Sequence, residues 1–363
     1  MKVTGRKFSP GLDRFSGLYL WGLFFVLFSF MAPRTFPTMN TVHLLASTEA
    51  IAAIVALALL VPMVTGQFDL SIGAIANFSG ILAVIVQTNG LLDPVGAILL
   101  GTAVGTVIGM LNGFIVVKLK IDSFIATLAM GSILEAFLVI VTNNREPLPV
   151  DNEFFTGLTQ TNIFGFQAVF FYMIVIALIV WWLLERTPAG RYMRATGFDR
   201  EAARLSGVQV DKWSFLSLTI SGTICGFAGV LFVSLTGPSL GFGPSLLLPA
   251  FAAVFLGSTQ LVPGRHNVWG TVLAIFVLAT GVQGLQLVSG AQWVASMFNG
   301  VALIAAVGLA VVRRKKLSRP KKEKSKGKNQ GGGSLSASTQ THGTQGSSSA
   351  HHAGQVSEKR VEV

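Results

Sequence analysis

The feature that most limits what this chain can become is a succession of continuous apolar stretches, most of them 16–24 residues long, joined by short polar connections. A hydrocarbon layer about 30 Å thick is crossed by about 20 apolar residues in helical conformation, whereas barrel strands show only about ten residues of weak alternation. The stretches lie near 16–32, 44–64, 70–88, 95–117, 123–142, 167–184, 213–234, 246–258, 268–288 and 292–312. They predict an all-α integral membrane protein with about ten transmembrane helices. With 51% apolar and 12% charged residues, the chain has too little charge to coat a globular surface. The segment 246–258 is short and follows Gly241-Phe242-Gly243-Pro244, which suggests a half-helix or re-entrant element.

Charge orients the spans. The net charge of +11 is carried mainly by residues 313–363, which hold twelve Lys/Arg and three acidic residues, so +2 remains for the rest and a nucleic-acid partner is not implied. With the N-terminus inside, thirteen Lys/Arg residues of the connections fall on the cytoplasmic side and only Arg34 and Arg145 outside. Both termini are therefore expected in the cytoplasm. Residues 1–15 form a basic N-terminal segment, 16–312 the membrane domain, and 313–363 a basic and polar tail without apolar periodicity, for which disorder is expected. The first apolar run is longer than a signal-peptide core, and Pro33-Arg34 follows it where small residues would be needed, so it reads as an uncleaved helix.

Much chemistry is excluded. The chain contains no HExxH, GxSxG, CxxC or GxxxxGK[ST] pattern, so neither a hydrolase, a cofactor, a metal site nor ATP hydrolysis is expected on it. Cys225 is its one cysteine, and His351-His352 in the tail lack further ligand partners. Acidic residues at or within the spans are Glu49, Asp69 and Glu135, with no intramembrane Lys or Arg to complete an ion relay.

Three constellations remain. Gly66-Gln67-Phe68-Asp69-Leu70-Ser71-Ile72-Gly73 interrupts two apolar runs, and Asp69 reads either as a helix N-cap or as a solute contact. Gly101, Gly105 and Gly109 recur at i+4 spacing before Asn112-Gly113, a stripe that permits close helix packing, with Asn112 a candidate to line a path. The connection 185–211 is the longest before the tail. In it Asp199 is an N-cap candidate, 200–206 are helix formers with Ala202 and Leu205 on one face, and Gly207 is a stop signal. So short a helix needs something to dock on, and a partner on the cytoplasmic side is implied.

Together these constellations resemble the permease subunits of bacterial sugar ABC importers, the ribose/xylose/autoinducer-type group. The family's Asp-Leu-Ser-Val-Gly break is matched by Asp69-Leu70-Ser71-Ile72-Gly73 after Gly66. Its Asn-Gly and Phe-Ile-x-Thr-Leu segments are matched by Asn112-Gly113 and Phe124-Ile125-Ala126-Thr127-Leu128. Its cytoplasmic pattern is matched by Thr187, Gly190-Arg191, Ala195-Thr196-Gly197 and Ala202-Ala203-Arg204-Leu205-Ser206-Gly207. The resemblance covers about residues 16–312. It departs at Leu256–Asn267, where the family has a glycine-rich connection, and in the tail.

The resemblance implies a plasma-membrane subunit that moves a small neutral polar solute, a monosaccharide first among them. Its partners would be ABC ATPase subunits below, an extracytoplasmic solute-binding protein above, a second permease copy beside it, and membrane lipid. It further implies that Gly66, Asp69, Ser71, Gly73, Asn112, Gly113, Phe124 and Thr127 belong to the translocation pathway or its helix break. Gly190, Arg191, Gly197, Asp199, Glu201, Ala202, Ala203, Leu205 and Gly207 would form the ATPase-coupling loop. An ion-coupled secondary transporter is the alternative.

Overall fold

The structure, a computed structural model, describes residues 15–262 and 264–318. The N-terminal segment before residue 15 and the expected tail beyond residue 318 lie outside the described residues. Helices α1 (Ser16–Met31), α2 (Met39–Val64), α3 (Ile72–Thr88), α4 (Pro94–Lys118) and α5 (Ser123–Thr142) come first. A small elaboration follows, of helix α6 (Glu153–Gln160) and the two-residue antiparallel strands β1 (Asn162–Ile163) and β2 (Phe166–Gln167). Then come α7 (Ala168–Arg186), the short α8 (Pro188–Phe198) and α9 (Arg200–Leu205), and finally α10 (Val210–Thr236), α11 (Phe242–Gly257), α12 (Val268–Ser289) and α13 (Trp293–Ser318).

Six of these, α2, α4, α5, α7, α10 and α12, are long and apolar enough to cross a membrane. Four further apolar helices are shorter: α1, α3, α11 and the Trp293–Gly308 part of α13. Several boundaries differ from the sequence expectation. Helix α2 starts at Met39 rather than 44, because Thr38 accepts the amide of Thr41 at 3.2 Å and caps it there. Helix α11 begins at Phe242, four residues before the expected short element, since Gly243 can lie flush against Gly73 of α3. Helix α13 continues through Arg313–Lys316 to Ser318, where the tail was expected to have begun.

Helix α2 is the axis of the bundle. Its Ala/Ile/Val/Leu run is apolar all round, which suits only a helix enclosed by others, and Ala50–Val64 is buried between α3, α7, α10, α11 and α12. Between apolar helices in lipid the hydrophobic drive is small, so close van der Waals contact must hold them. Glycines supply it. On α4 and α10, a Cβ on Gly105 would strike the carbonyl of Gly222, and one on Gly109 would lie 2.6 Å from the carbonyl of Leu218. Likewise Gly80 of α3 meets Gly229 of α10, so α10 is clamped between α3 and α4 by residues without side chains.

Candidate functional site

The break between α2 and α3 is built by backbone groups that the helices leave unpaired. Pro62, one turn from the end of α2, offers a carbonyl that accepts from Thr65 N at 2.9 Å and Gln67 N at 3.0 Å, and Gly66 turns the chain at φ +78°. The freed amides beyond find side chains on other helices. Phe68 N donates to Ser123 Oγ at 3.0 Å and Leu70 N to Thr127 Oγ1 at 2.9 Å, both on α5.

Asp69 closes the knot. Its Oδ1 accepts from Ser71 N at 3.1 Å and Ser71 Oγ at 2.6 Å, and its Oδ2 accepts from Ser221 Oγ of α10 at 2.8 Å. Asn112 Nδ2 of α4 donates to Ser71 Oγ at 2.8 Å. The residue at the N-cap position of α3 is Ser71, not Asp69. The carboxylate therefore acts two residues before the helix, holding the capping residue rather than occupying its place. Asp69, Ser71, Asn112 and Thr127 are fully buried, as are Gly73 and Gly113 against their neighbours, whereas Gly66 and Phe124 are exposed. Four helices thus meet at a buried polar knot.

The 185–211 connection holds two helices where one was expected. Thr187 caps α8 by accepting from Gly190 N at 3.3 Å, and Gly190 packs on the carbonyl of Leu184. Arg194 ion-pairs with Glu185 and donates from Nε to Leu184 O at 3.3 Å. Partial burial lowers the pKa of Arg194 and the neighbouring carboxylate opposes that shift. Gly197 abuts the carbonyl of Val64, and a Cβ on it would lie 3.0 Å from Gly66 N.

Asp199 then caps α9 through Ala202 N at 3.0 Å, and Gly207 ends it at φ +82°. Ala203 is the buried residue of α9, not the expected Ala202/Leu205 face, because α9 is pinned to α10 by Arg200 and Arg204 reaching Asp211 at 3.5 and 3.6 Å. Arg191, Glu201, Ala202, Leu205 and Phe198 all point outward, the last two almost completely exposed. At the point of departure from the family pattern, Asn267 organises the chain. It caps α12 through Gly270 N at 2.7 Å and donates to the carbonyls of Gly257 and Gln260 at 3.0 and 3.1 Å.

Sequence reasoning missed Ser123, Ser217 and Ser221. Ser217 Oγ lies 2.9 Å from Thr65 Oγ1, so α10 grips both sides of the break. A lone serine in an apolar helix carries no sequence signal, since it can equally back-bond to its own helix.

The structure is an apolar helical bundle with a polar break between α2 and α3 and with α8 packed against that break. The chain belongs to the family described as "Branched-chain amino acid transport system / permease component", which matches residues 42–307. It is 30% identical over 323 residues to the ribose import permease protein RbsC of Escherichia coli (strain K12), covering 84% of this chain and 96% of that protein. It is 30% identical over 302 residues to the fructose import permease protein FrcC of Rhizobium meliloti, covering 81% and 80%. It is also 28% identical over 302 residues to the L-arabinose transport system permease protein AraH of Escherichia coli (strain K12), covering 81% and 89%. The protein is a multi-pass membrane permease of the ABC type.

Proposed function

We propose that this chain is the membrane subunit of an ATP-driven importer of a monosaccharide in a bacterial plasma membrane. It crosses the bilayer ten times with both termini in the cytoplasm, α1, α3, α11 and α13 completing the six longer spans. The support is the sidedness of Lys and Arg in the connections and the sugar import named for the relatives. A neutral, hydroxyl-rich solute also suits a bundle whose interior is lined by Ser, Thr, Asn and Gln with few charges.

The observation that carries the mechanism is the contact between Gly197 of α8 and the break at Gly66. ATPase subunits closing against the exposed Phe198, Glu201, Ala202 and Leu205 push α8 along a contact with no compressible side chain in it. The push arrives where α2 ends and α3 begins, so the knot of Asp69, Ser71, Asn112, Thr127 and Ser221 tilts as one body with α3. Gly73 and Gly113, flush against α11 and α10, pass the tilt on. A solute-binding protein meets the opposite side, where residues 143–167 form the α6 and β1–β2 elaboration, and a second copy of the permease closes the passage.

The test is uptake into membranes holding this chain with its ATPase and binding protein, offered ribose, fructose, arabinose or leucine. ATP-dependent accumulation of one of the sugars that survives collapse of the proton gradient is expected. Accumulation of leucine alone overturns the sugar reading, and dependence on the proton gradient at constant ATP restores the ion-coupled alternative.

A further inference from the structure

Between the end of α4, the start of α5 and the short α9 lies a cavity of about 600 Å³, a size that holds a small metabolite. The proposed topology puts it on the cytoplasmic side. The break between α2 and α3 contributes Gln67, the α4–α5 link Lys120 and Asp122, α5 Ser123, α9 Arg200 and Arg204, and α10 Asp211.

This lining has donors to spare. Gln67 is only 5% exposed, yet its side-chain amide makes no hydrogen bond among the described residues, so what satisfies it must sit in the cavity. Ser123 Oγ accepts from Phe68 N at 3.0 Å, and its hydroxyl hydrogen has no acceptor among the described residues. Arg200 and Arg204 reach one and the same oxygen of Asp211 at 3.5 and 3.6 Å, and Arg200 reaches Ser214 Oγ at 3.3 Å, which leaves most of their N–H groups open. Lys120 pairs with no carboxylate among the described residues and holds a φ of +56°, a conformation that a glycine would adopt at less cost. Asp122 already accepts from Phe124 N at 2.9 Å as the cap of α5.

Three cations therefore face two carboxylates, one capping a helix and the other shared, and a buried amide and a hydroxyl stand beside them. The cations suit an anion, above all a phosphate, whose oxygens match the guanidinium fork and the ammonium point charge. The amide and hydroxyl suit a polyhydroxylated body. A neutral monosaccharide is kept from leaking back once a charge is added to it, so phosphoryl transfer is the class of reaction that consumes it, and its product carries both features.

We propose that this cavity binds a phosphorylated sugar from the cytoplasm and acts as a brake on transport. A ligand there joins α9, the α4–α5 link and the break, which the coupling movement shifts against one another. By binding this arrangement it raises its population, and each turnover must then leave a stabilised state. The brake rests on the monosaccharide-import reading.

The experiment uses the assembled transporter, in nanodiscs for binding and in vesicles for uptake, with ribose 5-phosphate and fructose 6-phosphate as probes. One or both are expected to bind, inorganic phosphate more weakly, and the free sugars not to compete. Lys120→Gln should weaken binding by about tenfold, the worth of one charge-assisted hydrogen bond, which also separates this cavity from the nucleotide sites of the ATPase subunits. Gln67→Leu should weaken the sugar phosphates severalfold and leave inorganic phosphate unchanged. A probe enclosed on the cytoplasmic side should lower the maximal uptake rate, and less so in Lys120→Gln. Absence of binding, or binding untouched by Lys120→Gln, overturns the site. Binding in phosphatidylcholine that phosphatidylglycerol abolishes gives the cavity to a lipid headgroup and overturns the sugar phosphate. Uptake indifferent to a bound probe overturns the brake and leaves the import reading intact. Binding that depends on Lys120, in a transporter that imports no monosaccharide, upholds the site and removes the import reading instead.

Discussion

Ser221 donates a 2.8 Å hydrogen bond to Asp69 Oδ2, joining the middle of α10 to a helix break 152 residues earlier in the chain. Every oxygen of that carboxylate is already engaged inside the protein. The group therefore fastens the start of α3 to α10.

From this follows the behaviour of substitutions at Asp69. Asn keeps an oxygen for Ser71, and its amide can face Ser221 Oγ, which accepts as readily as it donates. Ala leaves the Ser71 and Ser221 hydroxyls buried without the carboxylate, at a cost of about 1–3 kcal/mol for each group left unsatisfied. Thermal unfolding in detergent should rank native above Asp69→Asn above Asp69→Ala, with Asn retaining substantial ATP-dependent uptake. An inactive but stable Asn variant would show that the charge itself takes part in transport.

Gly105 lies where α4 and α10 touch backbone to backbone, so a branched side chain there must push the helices apart. Gly105→Val should destabilise the bundle by about 1–3 kcal/mol or more through overpacking. Gly22 on α1 has open space around it, and Gly22→Ala should be neutral or slightly stabilising. Equal melting temperatures for the two variants would show that the α4–α10 contact is looser than its geometry.

The coupling role proposed for residues 185–211 predicts a separation of folding from function. Gly207 has no neighbour that a side chain would strike, although its φ of +82° makes any replacement strained by about 1–2 kcal/mol. Gly207→Trp should still reach the membrane folded yet lose uptake and ATPase binding, as should a charge reversal at the exposed Glu201. Full uptake by Gly207→Trp would remove residues 185–211 from the coupling role.

Removal of residues 319–363 should leave uptake near normal. The stretch has no apolar periodicity, and its basic residues contribute at most attraction to anionic lipid, about 1 kcal/mol per residue near the surface. Uptake assays at matched membrane abundance decide it, and a marked loss would reveal a role for the tail.

The sequence by itself determined the local features: apolar runs long enough for a membrane, the glycine stripe of α4, the interruption at 66–73, and the start and stop signals Asp199 and Gly207 of α9. Each is decided within one or two helical turns, by side-chain transfer energy, by small size at i+4 spacing, or by the capping of orphan amides. What only the tertiary structure decided is where the polar groups of the break find partners. Ser123, Ser217 and Ser221 look alike in the sequence to the serines that bond only their own helix. They become part of the site because α5 and α10 bring them within about 3 Å of Thr65, Phe68 and Asp69. The exposure of Glu135 was equally illegible, since periodicity shows a residue's face but not which neighbour covers it. A buried hydrogen bond forms only when both partners are fixed in place, and that placement belongs to the packing of helices far apart in the chain.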